Sequence, residues 1–127
     1  MKHSLIICLL FFCIHNKSTA QTNIVGENRD LHGCLPSAGY QWSELFKECI
    51  RPFELKLQLS NKSHSYNCGV LFSKDKKKVE LFCKEGVFML NRIKNKNDFY
   101  LSKNGWGFEK NKNRWMVKSK TKEILYQ

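Results

Sequence analysis

The second half of the chain, from Phe53 to Tyr126, alternates short apolar runs with tight polar turns. Side chains in a strand point alternately to two faces, so short runs of this kind predict half-buried strands. The turn sequences Lys74–Lys77 and Asn104-Gly105 are typical of hairpins between neighbouring strands. The pattern therefore predicts a mainly β fold, either a small antiparallel up-and-down barrel or a strongly curved sheet of about eight strands.

The Lys74–Lys77 loop sets the register of its hairpin and brings two cysteines together. If Ser73 lies opposite Lys78, then Cys68 lies opposite Cys83. Two apolar pairs share the same face in that register, namely Val70 with Leu81 and Phe72 with Val79. The agreement between turn, pattern and cysteines predicts a Cys68–Cys83 disulfide.

The next turn is predicted at Glu85-Gly86, because glycine supplies the unusual backbone conformation that a tight turn needs. That turn would place Cys83 opposite Phe88 and Leu81 opposite Leu90. The strand that follows it would then continue the same apolar face.

Upstream of the strands, residues 41–50 show the spacing of one helical stripe. The apolar positions of this stripe are Trp42, Leu45, Phe46, Cys49 and Ile50. Pro52 ends the element, since the residue before a proline avoids the α region. We therefore predict a short N-terminal helix over 41–50. The turn-like segment 36–39 would fold Cys34 back toward Cys49, which predicts a Cys34–Cys49 disulfide.

The first twenty residues have the organisation of a cleaved export signal. A basic start precedes the apolar run Leu5–Ile14, whose ten residues are too few to span a bilayer. Small residues at 18–20 predict cleavage after Ala20. We expect an exported protein, periplasmic or secreted, with no transmembrane segment. A lipid anchor is not favoured, because Cys34 lies twenty residues beyond the apolar run.

Removal of residues 1–20 from the 127-residue chain leaves 107 residues, which suffice for one domain with a single core. We expect a flexible lead over 21–33 and one domain over 34–127, made of the 41–50 helix and a β-meander over 53–126. Four cysteines remain, and in a small exported chain they predict disulfides. Zinc is the competing interpretation, but no pair has CxxC spacing, so we expect no metal.

The chain is strongly basic. Its formal net charge of +11 becomes +9 once Lys2 and Lys17 leave with the signal. Two interpretations stay open, namely a solvated surface that only keeps the protein in solution, and attraction to anionic polymers or membranes. Aromatic residues interleave with lysines over 99–115, as in proteins that hold single-stranded nucleic acid. Strand alternation predicts instead that most of these aromatics face the core, so we expect no specific nucleic-acid partner.

No catalytic constellation is found in the sequence. After cleavage the remaining histidines are His32 and His64, and neither has an evident Ser or Asp partner for a hydrolytic triad. Glu80 and Glu109 could supply the two carboxylates of a glycosidase, but cross-strand pairing with lysine explains both equally well. We therefore expect no enzyme activity and no cofactor.

Several short pieces between Tyr66 and Val117 form a recognisable series. They are Tyr66-Asn67-Cys68, Lys78-Val79-Glu80-Leu81-Phe82, Gly86 with Met89-Leu90, Asp98-Phe99-Tyr100 and Gly105-Trp106-Gly107-Phe108-Glu109-Lys110. Through these pieces the chain resembles the inhibitors of c-type lysozyme found in bacterial envelopes. The resemblance implies an exported eight-stranded β-barrel from a bacterial source. The segment Cys34–Pro52 resembles the start of small uncharacterised exported bacterial proteins instead, and implies no activity.

In that family a Ser-Gly-x-x-Tyr loop and a lysine after an aromatic strand contact the lysozyme cleft. The resemblance implies that Tyr100 and Lys110 hold those places, with Lys96 and Asn97 standing where the family has Ser-Gly. We interpret Lys110, Tyr100 and Lys96 as partner-binding candidates in an inhibitor of a cell-wall hydrolase that acts by loop insertion. Two alternatives stay open: a cationic envelope or matrix protein that binds anionic polysaccharide or lipid headgroups, and a purely structural exported domain.

Overall fold

The computed structural model describes residues 28–127, so the predicted signal peptide over 1–20 and most of the predicted lead lie outside the described residues. The strands are β1 Gln41–Ser43, β2 Glu48–Ile50, β3 Leu57–Ser60, β4 Asn67–Phe72, β5 Lys78–Cys83, β6 Gly86–Arg92, β7 Phe99–Leu101, β8 Gly107–Asn111, β9 Arg114–Lys118 and β10 Ile124–Tyr126. Within 28–127 the helical elements are two single 3-10 turns, Pro36–Ala38 and Pro52–Glu54. No helix in this part of the chain is both long and apolar enough to cross a membrane.

Strands β3 to β10 form one antiparallel sheet in which each strand pairs with its neighbours in sequence. The sheet curls until its first and last strands meet. There the Ser60 N–H donates to the Gln127 carbonyl at 3.2 Å, and the Gln127 N–H donates to the Ser60 carbonyl at 3.0 Å. An isolated bridge between Asn61 and Tyr126 extends this contact. The predicted mainly β fold of eight antiparallel strands is therefore confirmed, as a sheet nearly closed into a barrel.

The core lies inside this barrel and follows the alternation of the strands. Its buried members are Leu59, Cys68, Val70, Val79, Leu81, Leu90, Tyr100, Phe108, Val117 and Tyr126. Every strand from β3 to β10 contributes at least one of these side chains, so the interior is filled from all sides. Such filling is what a barrel of this size requires, because its interior is only wide enough for side chains.

The predicted register of the β4–β5 hairpin is confirmed. The Ser73 N–H donates to the Lys78 carbonyl at 2.9 Å, which closes the loop at the expected residues. Val70 lies opposite Leu81, as the pattern predicted. Cys68 and Cys83 form the predicted disulfide.

The predicted β5–β6 turn is displaced by one position, because Lys84 and Glu85 form it and Gly86 already belongs to β6. Cys83 pairs with Gly86, and Leu81 pairs with Phe88 rather than with Leu90. The glycine adopts φ 139° as the first strand residue, so its conformational freedom is used beside the turn and not inside it. The resulting register differs by two residues, which keeps the same side chains on the inner face.

The predicted helix over 41–50 is wrong, because these residues form the hairpin of β1 and β2 with Trp42 opposite Cys49. Lys47 adopts φ 57° in the connecting turn, a left-handed conformation that a helix does not allow. A helix of about ten residues is marginal on its own in water, whereas this hairpin gains partners from outside itself. One of them is Cys34, which forms the predicted disulfide with Cys49.

The other partner is Glu80 of β5, whose carboxylate is buried on the outer side of the barrel. It accepts hydrogen bonds from Ser43 Oγ at 2.6 Å, from the Glu44 N–H at 2.9 Å and from the Leu45 N–H at 3.3 Å. The predicted pairing of Glu80 with lysine is therefore wrong, since the hairpin turn satisfies this carboxylate. The equivalent prediction for Glu109 is confirmed, because Glu109 pairs with Lys118.

Candidate functional site

Three loops gather at one end of the barrel, because every second turn of an up-and-down meander lies at the same end. They are residues 73–77, 93–98 and 112–113. Hydrogen bonds connect these loops to neighbouring strands: Tyr100 Oη donates to the Lys76 carbonyl at 3.0 Å, and the Lys110 N–H donates to the Asp98 carbonyl at 3.0 Å. The loops and the adjoining strand ends, 73–78, 92–98 and 110–114, are called the basic end below.

The basic end concentrates positive charge. It holds ten basic residues and two acidic ones. The basic residues are Lys74, Lys76, Lys77, Lys78, Arg92, Lys94, Lys96, Lys110, Lys112 and Arg114, and the acidic ones are Asp75 and Asp98. With their adjoining strand residues included as well, the turns at the opposite end (60–67, 83–86, 101–107 and 118–124) hold six lysines and two glutamates. The molecule is therefore polarised along its barrel axis, and its basic end attracts anions most strongly.

Lys110 stands at the rim of the barrel. It lies on β8 opposite Trp115, two residues beyond the buried Phe108 and hence on the same, inward-facing side of the strand. Lys110 is the second-last residue of β8, and its side chain is exposed. Its Nζ lies 5.7 Å from the centroid of the Trp115 ring, within the range of a cation–π contact. The result is an exposed ammonium group on an aromatic support.

Tyr100 lies below Lys110 and is only 1% exposed, so its ring belongs to the core and does not project from a loop. The ring packs against Phe72 at a centroid distance of 6.0 Å. Burial raises the pKa of its hydroxyl above the usual value, while Arg92 lowers it and Asp98 raises it further. Its position is that of a core residue whose hydroxyl holds the Lys76 loop, and contact of Tyr100 with a partner stays a prediction.

Tyr100 and Lys110 nevertheless line the same hollow, of about 380 Å³, in the mouth of the barrel. Its lining residues are Phe72, Lys76, Asp98, Tyr100, Lys110 and Trp115. We call it the mouth hollow. The structure thus brings together two residues that the sequence separates by ten positions and that the resemblance selected as a pair.

Lys96 lies outside the mouth hollow, on the neighbouring 93–98 loop. Its side chain is exposed, and its Nζ lies 4.7 Å from the centroid of the Phe99 ring. It lines a second and larger hollow of about 640 Å³, which we call the basic hollow. The lining residues of the basic hollow are Lys77, Lys78, Asn91, Arg92, Ile93, Lys94, Asn95, Lys96 and Asn97.

Four cations of the basic hollow were not singled out from the sequence: Lys77, Lys78, Arg92 and Lys94. The strand order carries a signal that could have found them. Loops 73–77 and 93–98 are two turns apart in a meander, so both must lie at the same end of the barrel. Charge counted by barrel end, and not along the chain, would have indicated this hollow.

Other sequence candidates have structural roles. Tyr100 and Phe108 are buried, and Phe99, Trp106 and Trp115 are half-buried, so the aromatics of 99–115 are confirmed as mostly core residues. His32 stacks on Trp42 with the ring centroids 4.5 Å apart. Among residues 28–127, no group of three or more His, Cys, Asp or Glu side chains is placed to hold a metal ion.

Comparisons with protein-family models, with curated proteins and with solved structures return no match for this chain. What the protein does is therefore inferred from the basic end and its two hollows.

Proposed function

We propose that the protein is an exported binding protein that blocks the cleft of a cell-wall hydrolase with its basic end, Lys110 being the residue that enters the cleft. The observation that carries this proposal is the position of Lys110, an exposed ammonium on the rim of a disulfide-linked barrel. Glycosidase clefts generally contain two carboxylates that flank the scissile bond. A lysine ammonium between such carboxylates would form charge-assisted hydrogen bonds and exclude the substrate without any chemistry of its own.

The support beneath Lys110 favours insertion as a rigid unit. The β8–β9 turn consists of only Lys112 and Asn113, both in the left-handed region at φ 45° and 67°. Trp115, whose ring is in cation–π contact with the Lys110 ammonium, stacks on Phe108 with the ring centroids 4.5 Å apart and an angle of 5° between the planes. A side chain held in this way loses less freedom on binding than a lysine on a long loop.

Tyr100 and Lys96 have separate roles in this proposal. Tyr100 is a positioning residue, because its hydroxyl holds the Lys76 carbonyl beside the mouth hollow. Lys96 is a second contact, since its loop is joined to the strand that carries Lys110 by the bond between the Lys110 N–H and the Asp98 carbonyl. A partner that receives Lys110 would therefore meet Lys96 at the edge of the same interface.

The overall charge restricts the choice of hydrolase. Without residues 1–20 the chain keeps a formal net charge of +9, which is the +11 of the full sequence less Lys2 and Lys17. It therefore approaches an acidic enzyme faster than a basic one, because like charges oppose encounter. The proposal therefore favours a hydrolase with an acidic surface around its cleft over strongly cationic c-type lysozymes.

The test is the lysis of a peptidoglycan suspension by several lysozymes and other wall hydrolases, titrated with the oxidised protein at low and at moderate salt. We expect stoichiometric inhibition of at least one enzyme that persists at moderate salt. Lys110→Ala should raise the inhibition constant at least about tenfold, a loss of about 1.4 kcal/mol. Lys103→Ala is the matched control, because it removes one exposed lysine from the opposite end of the barrel.

The two variants distinguish a specific contact from a general effect of charge. An equal rise of the inhibition constant in Lys110→Ala and Lys103→Ala would mean that Lys110 is not the inserted residue. If no enzyme is inhibited at any ratio, the inhibitor proposal is wrong, and the site of interest is then the basic hollow.

A further inference from the structure

We propose that the basic hollow is a binding site for the anionic groups of an acidic polysaccharide, separate from the mouth hollow and independent of hydrolase inhibition. Its lining residues come from the junction of the β4–β5 loop with β5 and from the end of β6 and the β6–β7 loop, whereas Lys110 lines the mouth hollow. The two hollows thus present different residues on adjoining parts of the basic end.

The backbone around the basic hollow is held by hydrogen bonds. The Arg92 N–H donates to the Lys77 carbonyl at 2.8 Å, which joins the two walls directly. The Ile93 N–H donates to the Phe99 carbonyl at 3.0 Å, and this bond closes the base of the loop. A ligand would therefore find the walls already in place, which reduces the entropy lost on binding.

The charges of the basic hollow are largely uncompensated. Five of its lining residues are cationic and none is acidic. Within residues 28–127, an acidic group lies within 4.0 Å of only one of these five cations, Lys77, whose Nζ is 3.8 Å from Asp75 in a pair that is itself largely exposed. Five like charges around one hollow repel each other, and a bound anion would relieve that repulsion.

The remaining lining residues favour a sugar-based ligand. Asn91, Asn95 and Asn97 are exposed and offer amide donors and acceptors that suit hydroxyl groups. Four of the five cations are lysines, which act as point charges and do not demand the planar, bidentate geometry of arginine. The shared chemistry of the expected ligand is a carboxylate or sulfate group on a hydroxyl-rich chain, and the volume of about 640 Å³ lies within the usual range of ligand sites.

Nucleic acid and lipid are less well matched to this surface. No aromatic side chain lines the basic hollow, so bases would find no stacking platform there. Its single apolar lining residue, Ile93, is half-buried, so the loop offers no apolar group for insertion into a membrane.

The test measures the binding of the oxidised protein to polygalacturonate, to dextran sulfate and to neutral dextran by isothermal titration calorimetry over a salt series. We expect binding to one or both anionic polymers, weakened by salt, and none to neutral dextran. The triple variant Lys77→Gln, Lys94→Gln, Lys96→Gln should bind at least about tenfold more weakly. The control triple Lys62→Gln, Lys103→Gln, Lys120→Gln has the same net charge and should retain most of the affinity.

Three results would overturn the proposal. The first is equal loss in both triple variants, which would indicate attraction to the whole basic molecule. The second is an absence of binding to either anionic polymer at low salt. The third is tighter binding to anionic phospholipid vesicles or to a single-stranded oligonucleotide, which would assign the hollow to another class of ligand. Lys110→Ala should bind the polymers normally, so failure of the inhibitor proposal leaves this one intact.

Discussion

Ser43 and Glu80 form a buried hydrogen bond of 2.6 Å that joins the N-terminal hairpin to the outside of the barrel. The same carboxylate accepts hydrogen bonds from the backbone N–H groups of Glu44 and Leu45. The residues are far apart in sequence, and this one side chain satisfies three donors in the β1–β2 turn. One acidic residue of β5 thus makes three hydrogen bonds that hold the hairpin against the barrel.

Replacing Glu80 should loosen this attachment. Glu80→Ala leaves the buried Ser43 hydroxyl and two part-buried N–H groups without their acceptor, and we expect the free energy of unfolding to fall by about 2–3 kcal/mol. Amide hydrogen exchange at Glu44 and Leu45 should accelerate more than exchange in the barrel strands. Glu109→Ala is the control, because it breaks only the partly exposed pair with Lys118 and should cost about 1 kcal/mol or less. Equal losses would mean that the Glu80 contacts contribute no more than a surface ion pair.

The two disulfides should differ in what they stabilise, although each joins cysteines fifteen residues apart. Loop entropy alone predicts about 3 kcal/mol for either bridge. Replacing both Cys68 and Cys83 by alanine also removes packing from the barrel core, because Cys68 belongs to the core cluster, whereas Cys34 is equally buried but lies outside it. We expect that variant to lose more thermal stability, followed by circular dichroism, than the variant with Cys34 and Cys49 replaced. The latter should retain the strand signal of the barrel and lose exchange protection chiefly in the β1–β2 hairpin.

Tyr126 should make stability depend on pH in the alkaline range. Burial, and then its hydrogen bond to Glu85, raise the pKa of the hydroxyl from 10.0 to about 12. The folded state thus favours the protonated phenol, so this contribution is complete below pH 10 and is lost as the pH rises toward about 12. Tyr126→Phe should be less stable at neutral pH and should lose less stability between pH 10 and about 12 than the unmodified protein.

Denaturant unfolding of the unmodified protein and of Tyr126→Phe, at neutral pH and at two pH values between 10 and about 12, measures this difference in stability. All other ionisable groups are common to the two proteins, so their effect cancels in the comparison. Parallel stability curves across the window would show that the phenol of Tyr126 is not held in its protonated form.

The barrel was predictable because its information is local. Alternation, the Lys74–Lys77 loop and two cysteines specify the β4–β5 register within sixteen residues, Cys68 to Cys83, and the structure agrees. The prediction of a helix over 41–50 was wrong because the interaction that decides this segment is not local. Its apolar spacing suits a helix, but the carboxylate that satisfies its turn belongs to Glu80, which is more than thirty residues away.

In the candidate site, too, some features follow from local sequence and others from contacts between distant residues. Lys110 and Tyr100 were found as members of a family-like series, and they do line one hollow. The burial of Tyr100 follows from its pairing with Phe108 inside the barrel. The Asn104-Gly105 turn predicts this hairpin but not its register, because the loop between the paired residues Leu101 and Gly107 is longer than a two-residue turn. The basic hollow is assembled from segments that the β5–β6 pairing brings side by side, with Lys78 opposite Asn91, so a count of lysines along the chain does not reveal it.

Gly69 provides the sharpest test of how the N-terminal segment packs on the barrel. A Cβ at this position would lie 2.5 Å from the Pro52 carbonyl oxygen and 3.2 Å from Leu55 Cδ1. The first of these contacts is with backbone, so the 3-10 turn Pro52–Glu54 would have to move away from β4. We expect Gly69→Ala to lower the free energy of unfolding by about 1–3 kcal/mol, measured by denaturant unfolding.

Gly107→Ala is the matched control, because it adds the same methyl group to another buried strand glycine. Its nearest neighbour would be Lys118 Cβ at 3.9 Å, an ordinary contact, so we expect a change within about 0.5 kcal/mol. The hydrogen bonds from Gln58 Nε2 to the Pro52 and Leu55 carbonyls, at 2.7 and 3.0 Å, should weaken in Gly69→Ala alone. If Gly69→Ala and Gly107→Ala are equally stable, the 3-10 turn Pro52–Glu54 does not pack against β4 as closely as these distances indicate.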